Sequence, residues 1–468
     1  MRCRFRRNLF TSGFLIITLL GCGPQHRLDL LIINAQIIDV ETGTTLPDQV
    51  IGIVRDTIRF VTDRSEQSAF DAETVIDAAG QFVMPGLWDN HVHFRGGDTL
   101  IAENKNLLPL FLAHGVTTVR DAGGDMTAAV MDWRSAIQKG RLAGPHIFTS
   151  GPKLDGDQPA WPGSLTVTNE EEAVVALDSL ESIGVDYVKI YDGNLSKEAY
   201  YAIIAETRNR GLKVTGHMPL TAHLLEAVEL GLDGSEHLYY PMEACSPLED
   251  SLTLLGQGYG MMAALAATYD PDLADMVFQK LASRGFFVTP TLHIGTVLAE
   301  VADADHSSDS LLTYIGSGIQ QTYAGRVRSA KRAKAAGNNS RSDLQLVFHR
   351  MIRPLQDAGV NLLAGSDCGP YNSYVYPGAS LQEELIMLVQ QGLTPQEALQ
   401  ASVINGPKFF GLDEFYGGVA VGKRADLILL SANPLEDIEN IRELEWVIAG
   451  GRVYDLGALS ALVEEIVD

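Results

Sequence analysis

Cysteine is scarce in this chain, positive charge is outweighed, and long apolar runs are missing beyond the first twenty residues. Four cysteines in 468 residues (Cys3, Cys22, Cys245 and Cys368) are too few for a disulfide framework. Lysine and arginine total 35 against 59 acids, a formal charge of −24. A surface of that sign repels nucleic acid and anionic lipid headgroups and excludes both as partners by charge. After Cys22 no stretch approaches the roughly 20 consecutive apolar residues of a membrane-spanning helix. No Gly-x-Gly-x-x-Gly follows the first strand of the central region, which speaks against a doubly wound dinucleotide fold. What remains, 46% hydrophobic and 20% charged, is a globular composition, long enough for one large domain and a small satellite.

The first residues read as a targeting signal. Arg2, Arg4, Arg6 and Arg7 form a basic n-region and Phe14 to Leu20 an apolar h-region. Leu19-Leu20-Gly21-Cys22 resembles the lipobox at which bacterial lipoproteins are cleaved and lipidated. Residues 1–22 are therefore expected to be a signal peptide with lipidated Cys22. The mature chain is expected outside the cytoplasm, held to the membrane by acyl chains alone. Gly23, where an aspartate would retain a lipoprotein at the inner membrane, points to the outer one. An uncleaved anchor is the alternative, but the apolar run is short for a span. Cys245 and Cys368 are then the cysteines of the folded part, as a disulfide or as two free thiols.

Between about 85 and 412, eight apolar, β-rich segments alternate with helical stretches: Leu87 to His93, Val116 to Asp121, His146 to Ser150, Val185 to Tyr191, Lys213 to His217, Gly234 to Leu238, Phe286 to Leu292 and Val360 to Asp367. Alternating strands and helices imply parallel pairing with right-handed crossovers. Near-continuous apolar character fits strands buried on both sides. Eight such units close into a (β/α)8 TIM barrel. On either side lie short strands: Leu28 to Ile33, Ala35 to Val40 and Gln49 to Val54 before it, Ala425 to Leu430 and Trp446 to Tyr454 after it.

Candidate metal ligands sit at the ends of these segments. His91 and His93, two apart in a strand, share a face. Lys189 follows in Val188-Lys189-Ile190, His217 in Thr215-Gly216-His217, His237 in Ser235-Glu236-His237 and Asp367 in Gly365-Ser366-Asp367. The C-terminal ends of barrel strands are where active sites form.

In this set of five segments the chain resembles the amidohydrolase superfamily, metal-dependent hydrolases on a (β/α)8 barrel. Within it, the chain looks like the branch of imidazolonepropionase-related enzymes and prolidase-like dipeptidases. The resemblance implies that residues 23–84 and 413–468 fold together as a small β-sandwich beside the barrel of residues 85–412. Gly422-Lys423-Arg424-Ala425-Asp426-Leu427 followed by Asn433-Pro434-Leu435 matches that family's C-terminal pattern.

His91, His93 and Asp367 make a nitrogen-rich, partly anionic pocket suited to zinc or a similar divalent ion, and His217 and His237 suit a second. An ammonium has no lone pair to bridge two ions. The resemblance implies instead a carboxylated Lys189, formed with carbon dioxide, as the bridge. Asp367 is then both ligand and catalytic acid/base. The expected activity is hydrolysis of an amide or peptide-type C–N bond, with a dipeptide or small molecule as substrate. The rivals are a mononuclear imidazolonepropionase-like or deaminase-like hydrolase and a non-catalytic surface scaffold. Tyr239 and Tyr240 are candidates to bind a substrate carboxylate or carbonyl, or to pack the loop, and His293 is a candidate for the pocket lining. Arg120 is expected to pair with Asp121, His223 to be structural, and Lys331-Arg332-Ala333-Lys334 to be a solvated helix face. His146 replaces the arginine that relatives often carry after Gly-Pro. A homo-oligomer is left open as an assembly of this chain.

Overall fold

The computed structural model describes residues 27–337 and 340–466. The expected signal segment, with Cys22, lies outside the described residues. Among them no helix is long and apolar enough to cross a membrane.

Strands from both ends of the chain share one sheet. Leu28–Asp39, Thr44–Val54, Thr57–Asp63, Ala72–Asp77 and Phe82–Pro85 from the first part combine with Leu427–Leu430, Leu444–Ala449 and Arg452–Asp455 from the last. Phe82–Pro85 is the join, parallel to Leu28–Asp39 and antiparallel to Leu427–Leu430. Two-residue periodicity sorts the apolar side chains. Leu30 and Ile32 enter one core while Leu31 and Ile33 face another. Leu427 and Leu429 join the first of these, and Ile428 and Leu430 turn to the large core shared with the helices. The closing helix Leu456–Glu464 joins the large core through Leu459 and Val463.

The central region is α/β with parallel strands. Leu87–Val92, Val116–Asp121 and His146–Thr149 form one parallel sheet. Leu154–Asp155, Leu165–Thr166, Val188–Ile190, Val214–Gly216, Gly234–Glu236, Phe287–Thr289 and Asn361–Leu362 form another. Backbone hydrogen bonds run between the two at both edges. Asp186 N donates to Thr149 O (2.9 Å) on one side. On the other, Asn90 N donates to Ala364 O (3.0 Å), Asp367 N to His91 O (2.7 Å) and His93 N to Cys368 O (2.9 Å). The short pairs Leu154–Asp155 and Leu165–Thr166 interrupt the expected one-strand, one-helix rhythm. The eighth segment is regular only over Asn361–Leu362. Gly365 lies so close to His91 that a Cβ there would come within 2.7 Å of the His91 Cβ, and Asp367 is left-handed (φ 56°). Cys245 and Cys368 are both buried free thiols.

One ion cluster locks the flanking sheet to the parallel strands. Asp426 accepts from Gly450 N (2.8 Å), and its other oxygen lies 3.2 Å from both His146 Nε2 and Arg424 Nε. His146, where relatives often carry arginine, thus serves this seam. Burial opposes ionisation of Asp426, but His146 and Arg424 outweigh it and hold its pKa at about 2, below the ordinary 3.8. Because the folded value is the lower one, the carboxylate stabilises the fold above pH 4, and the contribution disappears as pH falls through 2. Asp426→Asn is expected to lose about 2 kcal/mol of stability near neutrality and almost none at pH 2. Denaturant titrations of both proteins from pH 2 to 7 measure the gap; one that does not close in acid refutes the assignment.

Candidate metal centre

Four histidines converge at the C-terminal ends of the parallel strands. His91 and His93 end the strand Leu87–Val92, with ring centroids 5.1 Å apart. His217 follows Val214–Gly216, and its N–H reaches Ile190 O (3.0 Å). Gly216 before it adopts φ 151°, where a Cβ would sit 2.2 Å from Ile190 O, so only glycine fits that approach. His237 follows Gly234–Glu236 at φ 64°, and its N–H reaches Thr289 O (2.8 Å).

Each ring is oriented through Nδ1. The partners are Glu236 Oε2 for His91 (2.5 Å), Gly123 O for His93 (3.0 Å), Asp192 Oδ1 for His217 (3.1 Å) and Thr291 Oγ1 for His237 (2.6 Å). The carboxylates and the carbonyl accept only, so the Nδ1–H donates and Nε2 keeps its lone pair. Three of those Nε2 atoms face Asp367. Its Oδ1 is 3.5 Å from His91 Nε2 and 3.3 Å from His93 Nε2, and its Oδ2 is 4.0 Å from His237 Nε2. The His217 ring packs at 5.0 Å from that of His237. Burial drives His91 and His93 far below the usual histidine range and His237 to about 4, so their imidazoles are neutral. His91 Nε2 is buried with no hydrogen-bond partner. An orphaned imidazole nitrogen facing a carboxylate, with oriented histidines around it, is the donor chemistry of a divalent-metal site. Ligand atoms of His91, His237 and Asp367 lie within 4.8 Å of one another, the spacing for one shared ion.

Lys189 lies in Val188–Ile190 with its amine fully buried and without a hydrogen-bond partner. The nearest acid is Glu236, with Oε1 at 3.7 Å. Burial lowers the Lys189 pKa to about 8; Glu236 resists and Arg120 adds to the shift. Arg120 does not pair with Asp121 as expected. Its Nη2 donates to Glu236 (3.0 and 3.1 Å) and to Thr289 Oγ1 (3.0 Å), while Asp121 accepts from the Thr149 hydroxyl (2.7 Å). Although burial favours its neutral form, Arg120, Lys189 and His91 hold Glu236 ionised, well below the usual carboxylate range.

Asp367 is fastened by its own loop and by the first strand. Asn372 Nδ2 donates to Asp367 Oδ1 (2.8 Å), and Asp89 accepts from the Ser366 hydroxyl (2.5 Å) and N–H (2.9 Å). Burial raises Asp367, but His91, His237, Arg95 and Lys189 overcome it and keep the carboxylate ionised. His237, Thr291, Asp367 and Tyr371 all have positive φ (64°, 51°, 56° and 72°) without being glycine. Such strain persists only where surrounding contacts over-determine the backbone. At Thr291 those contacts come from buried Glu384, which accepts the N–H groups of Leu292 (3.0 Å) and His293 (2.7 Å).

A cavity of about 560 Å³ opens over these groups, with His93, His217, His237 and Asp367 in its lining. Tyr239 lines it, and burial raises its pKa, so the phenol remains a donor. Tyr240 is fully buried, its hydroxyl 3.2 Å from both Asp192 and Tyr259, where it supports His217 rather than the cavity wall. His293 does not line the cavity; Thr291 and Ile294 beside it do. His223 lies 3.3 Å from Glu249. Helix Ser317–Ala335 is exposed at Lys331 and Arg332 as expected, but Ala333 and Lys334 border the cavity, and Lys334 pairs with Asp303.

Parallel strands presenting histidines, a lysine and an aspartate at their C-terminal ends define a class, α/β proteins with a candidate divalent-metal site at the strand ends. The sequence profile of the amidohydrolase family matches residues 82–453, and the chain belongs to that family, hydrolases acting on C–N bonds. It is 24% identical to imidazolonepropionase of Geobacillus kaustophilus (strain HTA426), over 94% of this chain and 95% of that protein. It is 22% identical to adenine deaminase 3 of Rhizobium meliloti (strain 1021), over 87% of this chain but only 56% of that longer protein. Among solved structures, a putative prolidase from Bifidobacterium longum superposes with a TM-score of 0.65 at 24% identity, over 94% of this chain and 100% of that one; the likeness is one of fold.

Sequence reasoning missed Glu236, Asp192, Thr291, Asn372, Arg95 and Arg326. An acid inside an apolar strand end, as in Ser235-Glu236-His237, is a usable signal. Arg326, on a long connection, has none. Thr291→Val removes the hydroxyl that holds His237 Nδ1 with little change in volume. It is expected to weaken divalent-metal retention by about 10-fold or more, measured by competition with a chromogenic chelator; unchanged affinity would refute the orienting role of Thr291.

Proposed function

We propose that the protein is a binuclear metal-dependent amidohydrolase that cleaves an amide or peptide-type C–N bond in a dipeptide-sized substrate. The observation that carries this reading is the set of four Nδ1-anchored histidines, three of them facing Asp367 and the fourth packed on His237, with the unpartnered amine of Lys189 among the same strand ends. His91, His93 and Asp367 would hold one ion and His217 and His237 the other, with Lys189 bridging as a carbamate. In that modification the amine nitrogen bonds to the carbon of carbon dioxide and releases a proton to solvent. The two ions, zinc or similar, would supply Lewis-acid polarisation of the scissile carbonyl and acidification of a water. Asp367 removes that water's proton and returns it to the leaving nitrogen. Tyr239 donates to a substrate carbonyl or carboxylate. A cavity of about 560 Å³ suits a ligand of that size.

The same proposal extends to the scaffold. The inter-sheet hydrogen bonds at both edges support closure into a (β/α)8 barrel over residues 85–412, and the family resemblance, with terminal strands that share one sheet, supports residues 23–84 and 413–468 as the β-sandwich. An extracytoplasmic lipoprotein anchored at Cys22 follows from the lipobox-like segment. The named relatives are an imidazolonepropionase, a deaminase and a putative prolidase, and the peptide substrate is chosen by analogy with the last, the cavity being large enough to admit it. A mononuclear hydrolase is the second reading, favoured by the single-ion spacing of His91, His237 and Asp367.

Elemental analysis of residues 23–468 purified without chelators decides between them. Two ions per chain in the wild type, with fewer in Lys189→Ala, is the expected outcome; one ion insensitive to that substitution selects the mononuclear reading. In a dipeptide screen of the loaded protein, Asp367→Asn is expected to lower kcat by about 10²–10⁴-fold. Turnover that survives this change would remove Asp367 from the proton transfers.

A further inference from the structure

A smaller cavity of about 220 Å³ adjoins the large one and shares Arg95 and Trp161 with it. Lys153 lines the small cavity only. It is 2% exposed, and its Nζ has no hydrogen-bond partner. Arg95 is 4% exposed and donates through Nε to Pro370 O (2.9 Å), with no carboxylate in ion-pair range among the described residues. Both cations lie against the Trp161 indole, the Arg95 Cζ at 4.1 Å and the Lys153 Nζ at 5.1 Å from its ring centroid. The acid in the lining, Asp125, already accepts from Gly96 N (2.8 Å) through one oxygen.

A buried amine and a buried guanidinium side by side are out of keeping with a chain of charge −24. A buried charge ordinarily has a partner, and a buried amine without one is costly. Neither donates a hydrogen bond to the four histidines; Arg95 bears on Asp367 through its charge and its bond to Pro370 O, while the Lys153 amine has no partner at all and is left unaccounted for by the metal centre. We propose that the small cavity is a subsite for a carboxylate group of the substrate, with Lys153 and Arg95 as its cations and Trp161 as its wall. The inference rests on the reading of the large cavity as the hydrolytic site. A carboxylate there accepts from the Lys153 amine and from the terminal nitrogens of Arg95, charge-assisted bonds in a site shielded from water. Burial, with Arg95 and Lys189 nearby, pulls Lys153 well below the usual lysine range. An adjacent carboxylate supplies the opposing field that keeps the amine protonated. Arg95 lies two residues beyond His93, which ties the subsite to the reacting centre by one short stretch of chain. The volume admits a carboxylate with a few carbons, so the group recognised is compact.

The probes are N-acetyl-L-alanine, which carries the carboxylate, and N-acetyl-L-alaninamide, which does not. Calorimetric titration of the zinc-loaded chain 23–468 is expected to show at least 10-fold preference for the acid. Lys153→Met abolishes that preference while leaving amide binding within twofold. Ala160→Phe fills the cavity from an exposed position of its lining and is expected to do the same without touching a charge, so it decides the matter if Lys153→Met does not fold. Equal affinity of the wild type for acid and amide overturns the subsite, as does an undiminished preference in the folded variants. Acid preference without hydrolysis of any N-acyl amino acid or dipeptide upholds the subsite and sinks the hydrolytic reading. Hydrolysis without acid preference does the reverse.

Discussion

The candidate centre hangs on a carboxylate outside the cavity lining. Glu236 accepts from His91 Nδ1, Arg120 Nη2 and Thr215 Oγ1, and lies beside Lys189, so four strands meet at one buried acid. In a region stripped of water each of those contacts is stronger than at a surface. Its ionised state keeps Arg120 paired and holds the His91 ring with Nε2 turned to Asp367. Without an acceptor there, the His91 ring would lose its orientation and Arg120 would be an uncompensated buried charge.

Asp192 repeats the device for His217. It accepts from His217 Nδ1 and from the hydroxyls of Tyr240 and Tyr259. Burial works against its ionisation, but His217 and the Tyr259 hydroxyl keep it below the usual range. Glu236 and Asp192 thus do for imidazoles what backbone carbonyls do elsewhere, and they add negative charge where cations would gather. The backbone carries the rest of the constraint. Left-handed residues at His237, Thr291, Asp367 and Tyr371 are held by Thr289 O, Glu384, Asp89 and two arginines respectively. Arg95 donates to Pro370 O, and Arg326 to Tyr371 O (2.9 Å) and Asn372 Oδ1 (3.2 Å). Asn372 in turn grips Asp367, so the cations of the cavity wall also set the angle of the proposed proton carrier.

Charge is distributed accordingly. The chain is acidic overall, yet its cavities are bordered by the buried Arg95 and Lys153 and the half-buried Arg326. Against a negative surface, such an interior is the setting in which the proposed carboxylate subsite would act at short range.

Sequence alone determined the α/β class, the order of the parallel strands and the ligands His91, His93, Lys189, His217, His237 and Asp367 as candidates, because strand periodicity and strand-end position are local properties. It also announced that strands from both ends had apolar faces in need of cover. Tertiary structure decided who holds those ligands. Arg120 chose Glu236, 116 residues away, over its neighbour Asp121, because successive residues of a strand face opposite sides. Tyr240 turned to Asp192 and His293 away from the cavity, since the first turn after a strand can aim either face inward. Lys153, Arg326 and Thr291 carry no local signature at all. Their roles arise only when segments 50 to 200 residues apart, on the order of whole βα units, are brought side by side by burial of the strands between them.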